Sequence, residues 1–172
     1  MARILGIDPG SRLTGYGLIQ TEGPRTRHLA HGVIRCGDGP LPGRLTLIFR
    51  ELSALLLEHQ PDQAAVEQVF VNRNVQSALT LGQARGAAVC AIGMQGLEVS
   101  EYAPAEIKRA IVGRGRAEKV QIQHMVRVLL NLDESPSEDA SDALAVALCH
   151  AHVSATQKHM PVDSPALRWR RR

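Results

Sequence analysis

No run of apolar residues in this sequence approaches the roughly 20 needed to cross a bilayer. The chain enters a strand pattern at once, without the charged-then-apolar layout of a signal peptide. Membrane residence and export are therefore not expected, and the cytoplasm is the default compartment. Cysteine is scarce, and Cys36, Cys90 and Cys149 lie far apart with no C-x-x-C pair. This spacing excludes a cysteine zinc site and a disulfide framework, and reads as three reduced, mostly buried thiols. Internal repeats are absent. There are only two Phe in the chain, so the setting of each one counts.

What is present fits one domain with a full-sized core: 172 residues, 44% of them hydrophobic. The formal charge is +3, but it is unevenly spread. In residues 153–172, Lys158, Arg168, Arg170, Arg171 and Arg172 oppose only Asp163, which leaves residues 1–152 slightly acidic. Within that body, Lys108, Arg109, Arg114, Arg116, Lys119 and Arg127 cluster against Glu106 and Glu118. Such polarisation suits a protein that meets a polyanion, and it also suits an ordinary solvated helical face.

The chain is organised around Ile4-Leu5-Gly6-Ile7-Asp8-Pro9-Gly10-Ser11. An apolar run cut off by Pro-Gly reads as a strand buried on both faces, ending in a tight turn with Asp8 at its C-terminal end. A carboxylate there either caps the turn, as Asp before Pro-Gly often does, or is held by something cationic. Thr14-Gly15-Tyr16-Gly17-Leu18-Ile19 reads as the hairpin partner, with glycines that let another backbone or a phosphate come close. Residues 27–36 read as a third antiparallel strand. Leu45, Ile48, Leu52, Leu55 and Leu56 recur at helical spacing over residues 42–59, and Gln60-Pro61-Asp62 stops that helix. Residues 64–70 read as a fourth strand, parallel to the first because a helix crosses back to it. A small-residue helix over 77–94 is apolar on nearly every side, so it should be buried on more than one face. Its Gly82 and Gly86 fit either a subunit interface or internal packing. A fifth strand over 97–103 is followed by a short helix to about 112. A helix over 117–130 comes next, with Val120, Met125, Val128 and Leu129 turned inward. Ser135-Pro136-Ser137-Glu138 reads as a capping box opening the last helix, about 136–152. Residues 154–172 lack periodicity and carry Pro161 and Pro165, as a disordered basic tail would. The order describes an α/β fold with a five-stranded mixed sheet flanked by helices.

Glu67 stands in the apolar fourth strand. If strands one and four are parallel neighbours, Asp8 and Glu67 lie side by side at their C-terminal ends, where ligand sites of open α/β sheets gather. On the last helix, Ala140, Leu144, Ala147, Leu148 and Ala151 mark the core face. Asp139 and Asp142 lie at its edge, whereas Glu138 is occupied by the capping box. Acids in a first helical turn also complement the helix dipole, and Asp142, deeper in the helix, needs more explanation than Asp139. Four carboxylates without Cys or suitably spaced His select a hard cation, Mg²⁺ or Mn²⁺. A pair of such ions about 4 Å apart suits in-line attack of water on a phosphodiester.

Several motifs together resemble the RuvC family of bacterial Holliday-junction resolvases. They are Gly6-Ile7-Asp8-Pro9-Gly10-Ser11 with Thr14-Gly15-Tyr16-Gly17, Glu67-Gln68-Val69-Phe70, Ser77-Ala78-Leu79, Leu81-Gly82-Gln83-Ala84-Arg85-Gly86, Ala117-Glu118-Lys119, Gln123-His124-Met125-Val126 and Asp139-Ala140-Ser141-Asp142-Ala143-Leu144-Ala145. The resemblance runs from about residue 2 to 153, so that 1–153 would be one nuclease domain. It implies a ribonuclease-H-like fold, a homodimer, two Mg²⁺ per site, paired symmetric nicks in four-way junction DNA, and work alongside the RuvA and RuvB branch-migration proteins. The family's acidic quartet falls on Asp8, Glu67, Asp139 and Asp142, and some members carry His at the position matching Asp142. Phe70, on a polar stretch after Glu67, is either a core-capping ring or a base-stacking one; the resemblance favours DNA. Arg73, Lys108 and Lys119 are the expected phosphate contacts, with Lys119 close enough to the ions to neutralise transition-state charge. An actin-like nucleotide-binding module would need a second phosphate loop and a far longer chain. A junction-binding protein without catalysis would need neither Glu67 nor Asp142.

Overall fold

A computed structural model describes residues 1–69 and 74–159. Its elements are β1 (Ala2–Asp8), β2 (Leu13–Glu22), β3 (Arg25–Arg35), α1 (Leu41–His59), β4 (Gln63–Glu67), α2 (Val75–Met94), β5 (Val99–Tyr102), α3 (Pro104–Val112), α4 (Lys119–Leu129) and α5 (Glu138–His159). This is the element order expected from the sequence pattern. Phe70, Arg73 and residues 160–172 lie outside the described residues. Among the described residues, no helix is long and apolar enough to cross a membrane.

The five strands form one mixed sheet in the order β3-β2-β1-β4-β5. β1, β2 and β3 make an antiparallel meander, whereas β4 runs parallel to both β1 and β5. The parallel register is set at its lower end. The Arg3 amide donates to Asp62 Oδ2 at 2.7 Å, the Asp62 amide donates to the Arg3 carbonyl at 2.9 Å, and the Arg3 guanidinium reaches the His59 carbonyl at 2.9 Å. α1 ends just before this point, at Gln60, whose left-handed backbone (φ 45°) lets its amide close on the Leu56 carbonyl. With Ile4 opposite Gln63 and Ile7 opposite Val66, the ladder delivers Asp8 and Glu67 to the same end of neighbouring strands.

Side chains alternate across the sheet and give it two cores. Leu5, Ile7, Leu18, Ala64 and Val66 face α1 and α2, where Ile48, Leu52, Ala84, Ala88 and Ile92 meet them. Ile4, Ile19, Ala65 and Tyr102 face α3, α4 and α5. α5 is the central helix: from Ala143 to Ala151 every residue is buried. It reaches the sheet this closely because the strands beneath it lack side chains. A methyl on Gly6 would stand 2.2 Å from the Ala143 carbonyl oxygen, one on Gly15 would stand 2.0 Å from that of Asp139, and one on Gly17 would stand 2.7 Å from Leu144. The backbone admitted by these glycines is thus a helix.

Four sequence expectations are corrected. α4 turns Ile122, Val126 and Leu130 inward, while Val120 (71% exposed), Val128 and Leu129 face out and Met125 is partly buried. The helix carries apolar residues on more than one face, and the position of α5 selects the row. Within the single chain α2 is buried on one face, through Ala84, Ala88, Ala91 and Ile92, with Leu79 and Met94 exposed and open space above Gly82 and Gly86. α5 starts at Glu138, with the Ser141 amide on the Ser137 carbonyl at 2.8 Å, and continues to His159, beyond its expected end. Of the three free cysteines, Cys149 is buried but Cys90 is exposed.

The glycine seat gives one substitution opposite signs at two positions. Gly6→Ala forces backbone apart and should cost about 3 kcal/mol. Gly43→Ala, in the first turn of α1 with nothing within 4 Å, should stabilise by roughly 0.5–1 kcal/mol. Urea unfolding midpoints check both; equal midpoints would show that α5 is not seated on Gly6.

Candidate active site

Asp8 ends a central strand whose Ile4, Leu5 and Ile7 are buried, so its carboxylate is held at the end of the sheet by the core behind it. It does not close the following turn. Thr14, fully buried, does that: its hydroxyl donates to the Gly10 carbonyl at 2.8 Å and accepts from the Gly10 amide at 3.3 Å. The Asp8 side chain instead hydrogen-bonds Glu67. Asp8, Glu67 and Asp142 line one cavity of about 300 Å³ together with Lys108 from α3 and Lys119 from α4; Pro104, Ile107, Ile122 and Ala145 supply its apolar walls. Asp139 is not part of that lining. It is half-buried beside it, with its backbone against Gly15, the β2 partner of Asp8.

The helices bring the lysines in through short, well-made N-termini. α3 has Pro104 in its first turn, and Glu106 Oε2 accepts from the Ala103 amide at 2.8 Å. At α4, Gln121 Oε1 accepts from the Glu118 amide at 3.1 Å, which places Lys119 at the first helical position. Lys119 hydrogen-bonds Glu138 and lies 3.9 Å from Asp142. Glu138 therefore belongs to the rim of the site and is not the third residue of a capping box, as its sequence context implied. With α5 starting at Glu138, the side chain stands at the first helical turn, free to reach across to α4.

The electrostatics are those of crowded acid. Burial, then the charge of Glu67, then those of Asp142 and Asp139 raise the Asp8 pKa from 3.8 to about 8. Burial also raises Glu67, against the opposing pull of its Asp8 hydrogen bond and of Lys108 and Lys119. Asp142 is raised by burial despite Lys119. Lys119 is itself pushed up, first by its bond to Glu138. Among the described residues, no three His, Cys, Asp or Glu side chains are arranged as a ready-made cage for an ion. The acids are gathered without being clenched. Their chemistry still fits a hard divalent cation: all the donors are oxygen, they are partly desolvated, and their mutual repulsion is the term that bound positive charge relieves.

Of the residues singled out in the sequence, the structure brings Asp8, Glu67, Asp142, Lys108 and Lys119 together and leaves Asp139 beside them; the Glu138–Lys119 pair was not foreseen. The signal available was an acid in a first helical turn, but it fits a cap as well as a bridge to another helix. Phe70 and Arg73 lie outside the described residues.

Comparison with known proteins decides the family. The profile of the family described as crossover junction endodeoxyribonuclease RuvC matches residues 4–150. The chain belongs to the RuvC family. Its relatives include the RuvC of Alkalilimnicola ehrlichii, 58% identical over 160 residues that cover 93% of this chain and 97% of the relative. That of Marinobacter nauticus is 54% identical over 154 residues, 90% of this chain and 88% of the relative. Among solved structures, Thermus thermophilus RuvC in complex with a Holliday junction substrate superposes with a TM-score of 0.86 at 32% identity, covering 91% of this chain and 97% of that one. The five-stranded mixed sheet with flanking helices is thus the ribonuclease-H-like fold of the RuvC family. A yeast mitochondrial Holliday junction resolvase, Ydc2, shares the fold at 12% identity and a TM-score of 0.60.

The raised Asp8 pKa has a consequence for stability. The unfolded chain releases this proton near pH 3.8, whereas the folded protein keeps it to about pH 8. In divalent-free buffer, the contribution of Asp8 to stability is therefore fully present below pH 3.8 and is lost as pH rises through about 8. Asp8→Asn should raise the melting temperature at neutral pH and flatten the decline across that window. A variant that melts lower than the parent at pH 7 would contradict this.

Proposed function

We propose that this protein resolves four-way DNA junctions as a divalent-cation-dependent endonuclease, cutting two strands of like polarity symmetrically. The observation that carries the reading is the meeting of three acids and two lysines in one cavity, at the C-terminal ends of the parallel strands of a RuvC-family chain. Asp8, Glu67, Asp139 and Asp142 would hold two Mg²⁺, with Mn²⁺ able to substitute. Ions bound there supply activation of water and neutralisation of charge on the leaving 3′-oxygen.

The chain's own residues do the rest. Lys108 and Lys119, opposite the acids in the cavity, bind phosphate of the strand to be cut and orient it toward them. Lys119, 3.9 Å from Asp142, is the cation best placed to offset charge that develops during hydrolysis. The apolar wall of Ile107 and Ile122 keeps the acids partly dry, which strengthens every charge interaction among them. Phe70 stacks on a base at the junction centre, and Arg73 adds a backbone contact. A binding protein without catalysis is the weaker reading. A surface that only binds DNA gains nothing from gathering acids whose ionisation burial and mutual repulsion oppose, as they do at Asp8.

Paired nicks require two active sites related by a two-fold axis, and the outward face of α2 is the surface for it. Leu79, Gly82, Gly86 and Met94 recur there at helical spacing, with open space above both glycines. Junctions reach the enzyme together with the RuvA and RuvB branch-migration proteins, and the work is cytoplasmic.

Nicking of a four-way junction against linear duplex, with and without Mg²⁺, tests the activity. Asp8→Asn, Glu67→Gln, Asp139→Asn and Asp142→Asn should each lower single-turnover nicking about a hundred-fold or more while junction binding persists. Parental rates in all four would overturn the site. Gly86→Leu, at a position where an added Cβ meets open space, should shift the protein to monomer in sedimentation at micromolar concentration and uncouple the paired nicks. An unchanged dimer would place the interface elsewhere.

A further inference from the structure

α5 carries Asp142, and its glycine seat on β1 and β2 fixes it relative to Asp8 but not relative to Glu67, one strand further along. The link on that side is a buried polar chain. The Tyr102 hydroxyl lies 2.8 Å from His150 Nδ1, and His150 Nε2 lies 3.2 Å from Gln63 Oε1, with Ser154 Oγ 3.4 Å away. The Tyr102 and His150 rings also meet edge-on at 5.8 Å. With Gln63 presenting its oxygen, the imidazole carries its proton on Nε2 and accepts the tyrosine hydroxyl proton at Nδ1. Both rings are buried, and burial lowers the His150 pKa, which suits this neutral form.

The geometry points to this chain as a positioning device: Tyr102, His150 and Gln63 hold α5 at a set distance from β4 and β5, and thereby set the gap between Glu67 and Asp142. Three observations support it. Tyr102 is the cross-strand partner of Glu67, and its carbonyl accepts the Gln68 amide at 2.9 Å, so its backbone is anchored beside the acid while its ring reaches His150. Gln63 opens the strand that Glu67 closes. Along α5, His150 stands two turns from Asp142, about 12 Å at 1.5 Å per residue. Along β4, Gln63 stands four residues from Glu67, about 13 Å at 3.3 Å per residue. Helix and strand therefore place a polar rung at one end and a pair of acids at the other, at matching lengths. Among the described residues, α5 otherwise meets these strands through apolar packing around Ala65 and Tyr102, which has no preferred direction. Without the rung, a small tilt of α5 about its glycine seat changes the separation of Glu67 and Asp142 while leaving Asp8 in place.

The proposal rests on the reading of these acids as the cation-binding site, and its test separates the two. Tyr102→Phe removes one hydroxyl and keeps the ring; Gln63→Met removes the other bond, at the far end of the sheet. Single-turnover nicking at saturating four-way junction should fall about ten- to a hundred-fold in each, with the junction Kd unchanged within about twofold. The Mn²⁺ concentration at which the ion raises the melting temperature should move upward in the same variants; this readout needs no turnover. A lowered melting temperature alone, with the parental nicking rate per folded molecule and the parental Mn²⁺ midpoint, would overturn the positioning role. Gln63→Met carries the comparison if Tyr102→Phe does not fold. Glu67→Gln is run alongside: if it too nicks at the parental rate, the site reading fails, and the positioning role fails with it.

Discussion

The backbone of α5 lies directly on a strip of sheet that has no side chains. Gly6, Gly15 and Gly17 leave contacts of 2.0–2.7 Å for any methyl placed on them, so the helix cannot be lifted or slid along the strip without losing close packing. The placement of α5 over Asp8 follows from this seat. It sinks α5 until its residues from Ala143 to Ala151 are buried all round. It brings the Asp139 backbone against the strand partner of Asp8. It also leaves α3 and α4 to pack against α5 rather than against bare sheet, which is what swings Lys108 and Lys119 over the acids.

The second constraint is electrostatic and works against the first. Close packing partly desolvates a set of carboxylates, and the protein holds Asp8, Glu67 and Asp142 in a state where each resists ionisation. Two devices limit the cost. Asp8 and Glu67 share a hydrogen bond, and Lys119 divides its charge between Glu138 and Asp142. Neither neutralises the cluster. A site whose acids outnumber its lysines and resist ionisation favours the approach of further positive charge.

How the site reads from sequence depends on what each residue's neighbours are. Asp8 and Glu67 stood out because each carboxylate is embedded in an apolar strand, where local sequence already records the burial. The Pro-Gly after Asp8 left a turn role open, and a hydroxyl four residues from Gly10 settled it. On the helices the signal was weaker. The apolar residues of α4 occupy more than one face, and α2 is built of small residues that give no face a clear preference. Which row faces inward depended on the partner helix, so Val120, Val128 and Leu129 read as core although they are exposed.

The sequence alone determined the order of strands and helices, the parallel pairing of β1 with β4 and the family, and it singled out Asp8, Glu67 and Asp142, which the fold gathers in one cavity. These rest on local patterns, where the period of apolar residues, turn chemistry and motif spacing are all written within a few positions of one another. Only the tertiary structure decided that Glu138 turns to Lys119 instead of capping its own helix, and that Asp139 stands beside the cavity while Asp142 lines it. It alone joined Tyr102 to His150 across 48 residues and His150 to Gln63 across 87. Hydrogen bonds of that reach leave no trace in local periodicity, because each partner satisfies the rules of its own element and the bond forms only when the glycine seat brings the helix down onto the sheet.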